Sequence, residues 1–237
     1  MSNVKNVILV HGAWADGSSW AKVIPKLQGE GFQVTAVQLP LKSLADDTAT
    51  VQRAIALQDG PTVLIGHSYG GAVITGAGND PKVTGLVYVA AFAPDTTDTL
   101  SSLLAQGQPS SSAVPEGKAD AQGFIRLTPK GMLEYFAQDL PDAEKRAMVA
   151  TQGPIQAKIF DERVSAVAWK TKPSWYVIAT NDMAIPPNVQ TMMANRMKAD
   201  TVSVVASHVP MLSKPEVVIA HILRATSGQR TSPVARA

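Results

Sequence analysis

The motif Gly66-His67-Ser68-Tyr69-Gly70-Gly71 places a serine between glycines, directly after an apolar run and before the helix-forming residues 72–74. In a strand–turn–helix context this G-x-S-x-G pattern is typical of a nucleophilic serine on a tight turn, because side chains two residues to either side would clash. The helix that follows directs its N-terminal dipole and N–H groups at the same point. A phosphate-binding turn is the competing interpretation, but the P-loop lysine and the G-x-G-x-x-G spacing are both missing. The motif therefore predicts Ser68 as a nucleophile.

A second motif, His11-Gly12-Ala13-Trp14, also directly follows an apolar run. Acyl transfer needs two backbone N–H donors aimed at the oxyanion that develops on the attacked carbonyl. In a strand–turn–helix site of this kind, one donor comes from the residue after the nucleophile, here Tyr69, and the other from the loop after an earlier strand, here Ala13. We interpret His11 as a brace for this loop and not as a base.

Six short, continuous apolar runs predict strands that are buried on both faces of a parallel sheet. They lie at residues 7–10, 34–37, 63–65, 86–89, 176–179 and 202–205. Because helical stretches alternate with these runs, we predict an α/β fold with an open, mostly parallel six-stranded sheet and helices on both faces. The two motifs then lie at the carboxyl ends of neighbouring strands, where the strand order reverses and ligands usually bind.

The alternation breaks once, from Pro94 to Lys172, where only helical pieces and no strand can be recognised. So long an insertion between two core strands is typical of a cap or lid. We therefore predict a core formed by residues 1–95 and 171–237, a helical cap over residues 96–170, and a flexible tail from about residue 227.

The composition is that of a soluble globular enzyme, with 237 residues, 45% hydrophobic and 17% charged. A net charge of +2 argues against a nucleic-acid partner. The chain has no cysteine, which excludes disulfides, thiolate metal sites and a cysteine nucleophile. No metal-ligand spacing, signal peptide or membrane-spanning stretch can be recognised, so we expect no metal, no membrane and a cytoplasmic location.

Four segments together resemble the α/β-hydrolase superfamily. They are His11-Gly12-Ala13, residues 66–71, residues 89–95 and Ser207-His208-Val209-Pro210-Met211. Within that superfamily the chain resembles the branch of small esterases that includes plant methyl-ester hydrolases, hydroxynitrile lyases and many short bacterial hydrolases. The resemblance covers nearly the whole chain and is weakest in the insertion. It implies a Ser–Asp–His triad in that chain order, two oxyanion N–H groups and no cofactor.

This chain order selects the base among the four histidines of the sequence. The base of such a triad follows the last strand, and His208 lies in a loop shortly after it. His67 neighbours the nucleophile, but adjacent side chains on a sharp turn diverge. His221 lies within the C-terminal helix, where a structural role is expected. We therefore predict His208 as the base.

Two aspartates compete for the role of the orienting acid. Asp182 follows the strand at residues 176–179, where the superfamily usually places its acid. Asp95 follows the strand at residues 86–89, where some members hold it, although Asp95 could instead cap a helix that opens the insertion. We prefer Asp182, whose task would be to hold the imidazole tautomer and stabilise its charged form.

The remaining expectations concern the substrate. We predict that Gly12, Trp14, Phe92 and Trp169 bind it, although aromatic residues near a cap serve packing as often as recognition. The main functional hypothesis is a serine esterase for small or medium carboxylic esters. The partner would be a small-molecule ester, and a homodimer is a candidate assembly.

Two alternatives stay open, a hydroxynitrile-lyase-type C–C lyase and a receptor-like binding module, because the fold alone does not select a function. In the lyases that the chain resembles, a threonine follows the first-loop histidine and a lysine follows the catalytic histidine. Here Gly12 and Val209 occupy those places.

Overall fold

The computed structural model describes residues 4–229. Within that range the strands are β1 Asn6–Val10, β2 Gln33–Ala36, β3 Thr62–His67, β4 Val83–Val89, β5 Gly117–Ala119, β6 Phe124–Leu127, β7 Ile155–Gln156, β8 Ser174–Ala179 and β9 Asp200–Val204. The α-helices are α1 Ile24–Gly29, α2 Leu44–Ala56, α3 Tyr69–Ala77, α4 Leu100–Leu104, α5 Asp142–Thr151, α6 Pro187–Arg196, α7 Pro210–Ser213 and α8 Pro215–Thr226.

The central sheet confirms the predicted fold class. Six parallel strands lie in the order β2-β1-β3-β4-β8-β9. Val7, Ile8, Leu9 and Val10 are all fully buried, and successive side chains of a strand point to opposite faces, so both faces of β1 are covered. The chain passes from β1 to β2 on one side and returns to β3 on the other. The strand order therefore reverses between β1 and β3, the position at which open α/β sheets bind ligands.

The insertion between β4 and β8 is not purely helical, and this part of the prediction was wrong. The predicted helical pieces are present as a π-helix at Gly131–Phe136 and as α5. Between and after them, β5, β6 and β7 form a small antiparallel sheet. These strands have only two to four residues each, too few to give a hydrophobic period. In addition, β7 pairs with β6 across a long stretch of chain. The boundaries of the cap stay a prediction.

The start of the predicted tail is packed against the core. The indole Nε1 of Trp175 donates to the Gln229 carbonyl at 3.0 Å, so the residues directly after α8 are held in place. Residues 230–237 of that tail lie outside the described range. Among the residues described, no helix is long and apolar enough to cross a membrane.

The close approach of α3 to the β4 end of the sheet gives a test of the fold. A Cβ on Gly71 would lie 2.3 Å from the Phe92 carbonyl oxygen and 2.7 Å from the Ala91 Cβ. Overpacking of this kind costs about 3 kcal/mol, so Gly71→Ala should lower the free energy of unfolding in urea by about that amount. Gly29→Ala, at the end of α1 with nothing within 4 Å, is the matched control and should be neutral or slightly stabilising. Equal stability of the two variants would contradict this packing.

Candidate active site

Ser68 occupies the sharp turn between β3 and α3 with φ 52° and ψ −123°. Non-glycine residues avoid this region because it brings Cβ close to the backbone, and they occupy it only where the surroundings fix it. The Ser68 N–H donates to the Val89 carbonyl at 3.3 Å, and the Ser68 carbonyl accepts from Gly71 and Phe92 at 3.0 Å each. A Cβ on Gly66 would lie 2.6 Å from the Gly70 carbonyl oxygen. The glycine at position 66 is therefore a steric requirement of the turn.

His208 joins Ser68 to Asp182 in one hydrogen-bonded chain. Its Nε2 lies 2.8 Å from Ser68 Oγ and its Nδ1 lies 2.6 Å from Asp182 Oδ2. An ionised carboxylate only accepts hydrogen bonds, so we assign the ring proton to Nδ1, and Ser68 donates its hydroxyl proton to Nε2. The three residues are 1–5% exposed, which strengthens these interactions relative to water. The three predicted residues thus meet in the arrangement that activates a serine.

Both carboxylate oxygens of Asp182 accept hydrogen bonds that fix the side chain. Its Oδ1 accepts from the backbone N–H groups of Ala184 at 2.7 Å and Ile185 at 2.9 Å, and its Oδ2 accepts from Gln190 Nε2 at 2.8 Å. Gln190 is itself fixed, because its Oε1 accepts from the Ala179 N–H at 3.1 Å. Gln190 was not predicted from the sequence. The signal that could have indicated it is a glutamine on the buried face of α6, the helix that follows Asp182.

Asp95 lies elsewhere. Its Oδ1 pairs with Lys170 Nζ at 2.7 Å and accepts from the Thr96 N–H at 2.7 Å. The hydrogen bond from Lys170 lowers the pKa of the Asp95 carboxyl below its ordinary value. The geometry therefore places Asp182, and not Asp95, on His208.

The loop after β1 is braced by His11, as the sequence analysis interpreted it. Its Nδ1 donates to the Gly12 carbonyl at 2.8 Å and its Nε2 accepts from the Leu39 N–H at 2.9 Å. Burial lowers the pKa of His11, which favours the neutral ring that this pattern requires. In a trans peptide the C=O and N–H groups point in opposite directions. Because His11 holds the Gly12 carbonyl, the Ala13 N–H points away from His11.

Tyr69, the second predicted oxyanion residue, is anchored through its hydroxyl. The hydroxyl donates to Asp47 Oδ2 at 2.6 Å, and Asp47 Oδ1 accepts from the Leu41 N–H at 2.9 Å. Burial raises the pKa of the Asp47 carboxyl, and it also raises the pKa of the Tyr69 phenol. The pair ties the start of α3 to α2. Asp47 was missed because an acidic residue in the first turn of a helix is expected to serve the helix dipole.

His67 contacts the base, which was not predicted. Its Nε2 donates to the His208 carbonyl at 2.7 Å, and the centroids of the two rings are 4.8 Å apart. Burial, and then the neighbouring His208, hold the pKa of His67 well below its ordinary value. A neutral His67 therefore fixes the loop that carries His208. Phe136 of the cap packs edge-on against the His208 ring at 4.7 Å.

A narrow cavity of about 10 Å³ lies next to Ser68. It is lined by Ala13, Trp14, Ser68, Tyr69, Phe92, Leu104, Val114, Phe160, Ala184, Ile185 and His208. Ala13 and Tyr69, the two predicted oxyanion residues, therefore lie at its wall together with Ser68, as do the predicted substrate residues Trp14 and Phe92. None of the lining side chains is a lysine, arginine, aspartate or glutamate, so the wall suits an uncharged ligand.

Two of the predicted substrate residues do not line this cavity. The Trp169 indole donates to the Pro94 carbonyl at 3.1 Å, and the cations of Lys170 and Arg196 lie 5.6 and 5.4 Å from its ring. Trp169 thus packs at the base of the cap. Gly12 lies beneath the nucleophile, since a Cβ there would be 2.6 Å from Ser68 Cβ. Neither residue lines the cavity, because Trp169 packs against Pro94 and Gly12 lies against Ser68. That they bind the substrate stays a prediction.

Within residues 4–229 no group of three or more His, Asp or Glu side chains is placed to hold a metal ion.

The chain is similar to several known proteins over most of its length. The chain is 28% identical to a pyrethroid hydrolase of Sphingobium wenxiniae, over 90% of this chain and 84% of that protein. It is 25% identical to methylesterase 8 of Arabidopsis thaliana (92% and 88% covered) and 26% identical to an alpha-hydroxynitrile lyase of the same plant (91% and 95% covered).

A solved structure shows the same fold. The crystal structure of a pyrethroid hydrolase from Sphingobium faniae superposes with a TM-score of 0.81 at 25% identity, covering 94% of this chain and 98% of the other. The model of the alpha/beta hydrolase family matches residues 7–221, which is most of the chain. The chain therefore belongs to the alpha/beta hydrolase family.

Proposed function

We propose that this hydrolase cleaves small or medium carboxylic esters through an acyl-enzyme on Ser68. The observation that carries the proposal is the buried hydrogen-bonded chain Ser68–His208–Asp182 on a strained turn. Ser68 Oγ attacks the carbonyl carbon while its proton moves to His208 Nε2. The backbone N–H groups of Ala13 and Tyr69 donate to the oxyanion of the tetrahedral intermediate.

The same imidazole then returns its proton to the leaving alkoxide, and the alcohol departs. His208 next takes a proton from water, which attacks the acyl-enzyme and releases the acid. Throughout, Asp182 keeps the ring proton on Nδ1 and stabilises the imidazolium. The backbone donors and Gln190 that surround Asp182 are in place before the reaction, so no reorganisation is required when the charge forms.

An uncharged ester is the substrate class that the cavity supports best. Its lining is apolar apart from Ser68, His208 and the polar tip of Tyr69, which is bonded to Asp47. A charged substrate group would be desolvated there without a partner. The names of two relatives, a pyrethroid hydrolase and a methylesterase, support hydrolysis as the reaction.

The lyase alternative has less support, although one relative is an alpha-hydroxynitrile lyase. The lyases that the chain resembles carry a threonine where this chain has Gly12, and a Cβ at that position would approach Ser68 Cβ to 2.6 Å. They carry a lysine where this chain has Val209, which is 1% exposed and uncharged. A departing cyanide would therefore lack the positive charge that stabilises it.

The purified protein should hydrolyse a graded series of short chromogenic aryl esters, and Ser68→Ala should abolish this hydrolysis because the nucleophile is lost. The same protein should release no cyanide from mandelonitrile above the uncatalysed rate. Ser68-dependent cyanide release with negligible ester hydrolysis would favour the lyase. Neither reaction, combined with tight binding of a small ligand, would favour the receptor-like module.

The choice of acid can be tested with two matched substitutions. Asp182→Asn should lower kcat for a short aryl ester by about 10⁴-fold, because an amide no longer keeps the proton on His208 Nδ1. Asp95→Asn should change kcat less than about threefold, since it removes only a partly exposed ion pair with Lys170. Steady-state kinetics with both variants, whose folding is checked by circular dichroism, decide the matter. If Asp95→Asn lost most of its kcat while Asp182→Asn stayed active, Asp95 and not Asp182 would be the orienting acid.

A further inference from the structure

A second, larger opening also borders Trp14, which lines the cavity at Ser68 as well. We call it the outer groove. It is lined by Trp14, Ala15, Asp16, Ser18, Ser19, Glu144, Ala147, Met148, Thr151 and Leu212. Its volume is about 220 Å³, against about 10 Å³ for the cavity at Ser68. Trp14 is the one residue that lines both, so we call it the partition between them.

The partition is held by contacts with the cap. The indole Nε1 donates to the Ile125 carbonyl of β6 at 3.1 Å. The ring packs edge-on against Phe136 at 6.0 Å and at a tilt against Phe160 at 6.1 Å. One hydrogen bond and two ring contacts therefore set the position of the wall.

The cavity at Ser68 is too small for both halves of an ester. A volume of about 10 Å³ holds about one water molecule. In this conformation the cavity therefore holds neither the acyl group nor the alcohol portion of an ester, and its walls must move before an ester binds. The outer groove is the adjoining space that shares a wall with this cavity, and it is large enough for an aromatic ring.

One part of the outer groove is formed by a segment that directly follows His208 in the chain. His208 gives its proton to the leaving oxygen, so the alcohol portion extends from Ser68 toward the His208 side of the site. Leu212, in the short helix α7 that follows His208, lines the groove. Lys22 Nζ closes this end: it bonds the Leu212 carbonyl at 2.9 Å and the Glu144 carboxylate at 2.8 Å.

The charges of the groove define the ligand. Lys22 neutralises Glu144, and the Asp16 carboxylate accepts from the Ser18 N–H at 2.7 Å. The lining contains no lysine or arginine to bind an anion, and Ala147 and Met148 of α5 offer it apolar side chains. We propose that the outer groove binds the alcohol portion of the ester, that this portion is uncharged and aromatic or alkyl, and that displacement of the Trp14 ring admits it. This assignment rests on the proposed ester hydrolysis.

Two esters with the same acyl group test the proposal, methyl butyrate and 2-naphthylmethyl butyrate. Ala147→Trp fills the groove from an exposed position of α5. Ala150→Trp, exposed on the same helix but outside the groove lining, is the matched control. In Ala147→Trp the ratio of kcat/KM for the naphthylmethyl ester to that for the methyl ester should fall by about tenfold or more, the usual effect of losing one or two apolar contacts in a binding pocket. Ala150→Trp should keep the wild-type ratio.

The free alcohol supplies a readout that does not depend on turnover. Binding of 2-naphthalenemethanol, followed by saturation-transfer NMR, should weaken in Ala147→Trp and stay as in the wild type in Ala150→Trp. Ser68-dependent hydrolysis of both esters with an unchanged ratio in Ala147→Trp would overturn the groove assignment alone. No Ser68-dependent hydrolysis of either ester by the wild-type protein would overturn the proposed function, and with it the assignment of the groove to an alcohol.

Discussion

The backbone of Ser68 has a positive φ of 52°. The residues at the carboxyl edge of the sheet supply the hydrogen bonds and leave the space that this conformation needs. The Ser68 N–H is bound by the end of β4, and its carbonyl accepts from both the first turn of α3 and the loop after β4. A Cβ on Gly66 would clash with the backbone of the turn, and a Cβ on Gly12 would clash with the Ser68 side chain. Glycine at both positions avoids these clashes. The turn places the Ser68 hydroxyl at the carboxyl ends of β1 and β3, where the loops after these two strands are adjacent and the strand order reverses.

A buried carboxylate and imidazole are unfavourable unless their hydrogen-bonding capacity is met. Asp182 meets this condition with four donors, of which His208 is one and Gln190 another. His67 binds the carbonyl of His208, and His11 fixes the loop opposite. Burial favours neutral rings in both of these histidines. Neither of these two rings therefore adds a positive charge to the site.

The central sheet was predictable because strands buried on both faces need continuous apolar runs, and all six runs became strands. Ser68, His208 and Asp182 were also brought together, since the fold fixes which strand ends meet. The small sheet of the cap was not predictable, because its strands are too short for a period. The position of Trp169 also depends on tertiary contacts that leave no local signal. An aromatic residue that packs against Pro94 and one that lines a cavity look alike in a sequence.

The central claim is that Ser68, and no other serine, is activated as a nucleophile by this hydrogen-bonded chain. Incubation with an aryl or alkyl fluorophosphonate followed by intact-mass analysis tests it most directly, because the reagent adds only to an activated hydroxyl. We predict one adduct per chain in the wild type, located on Ser68 by peptide mapping, and none in Ser68→Ala. Equal labelling of the two proteins would contradict it.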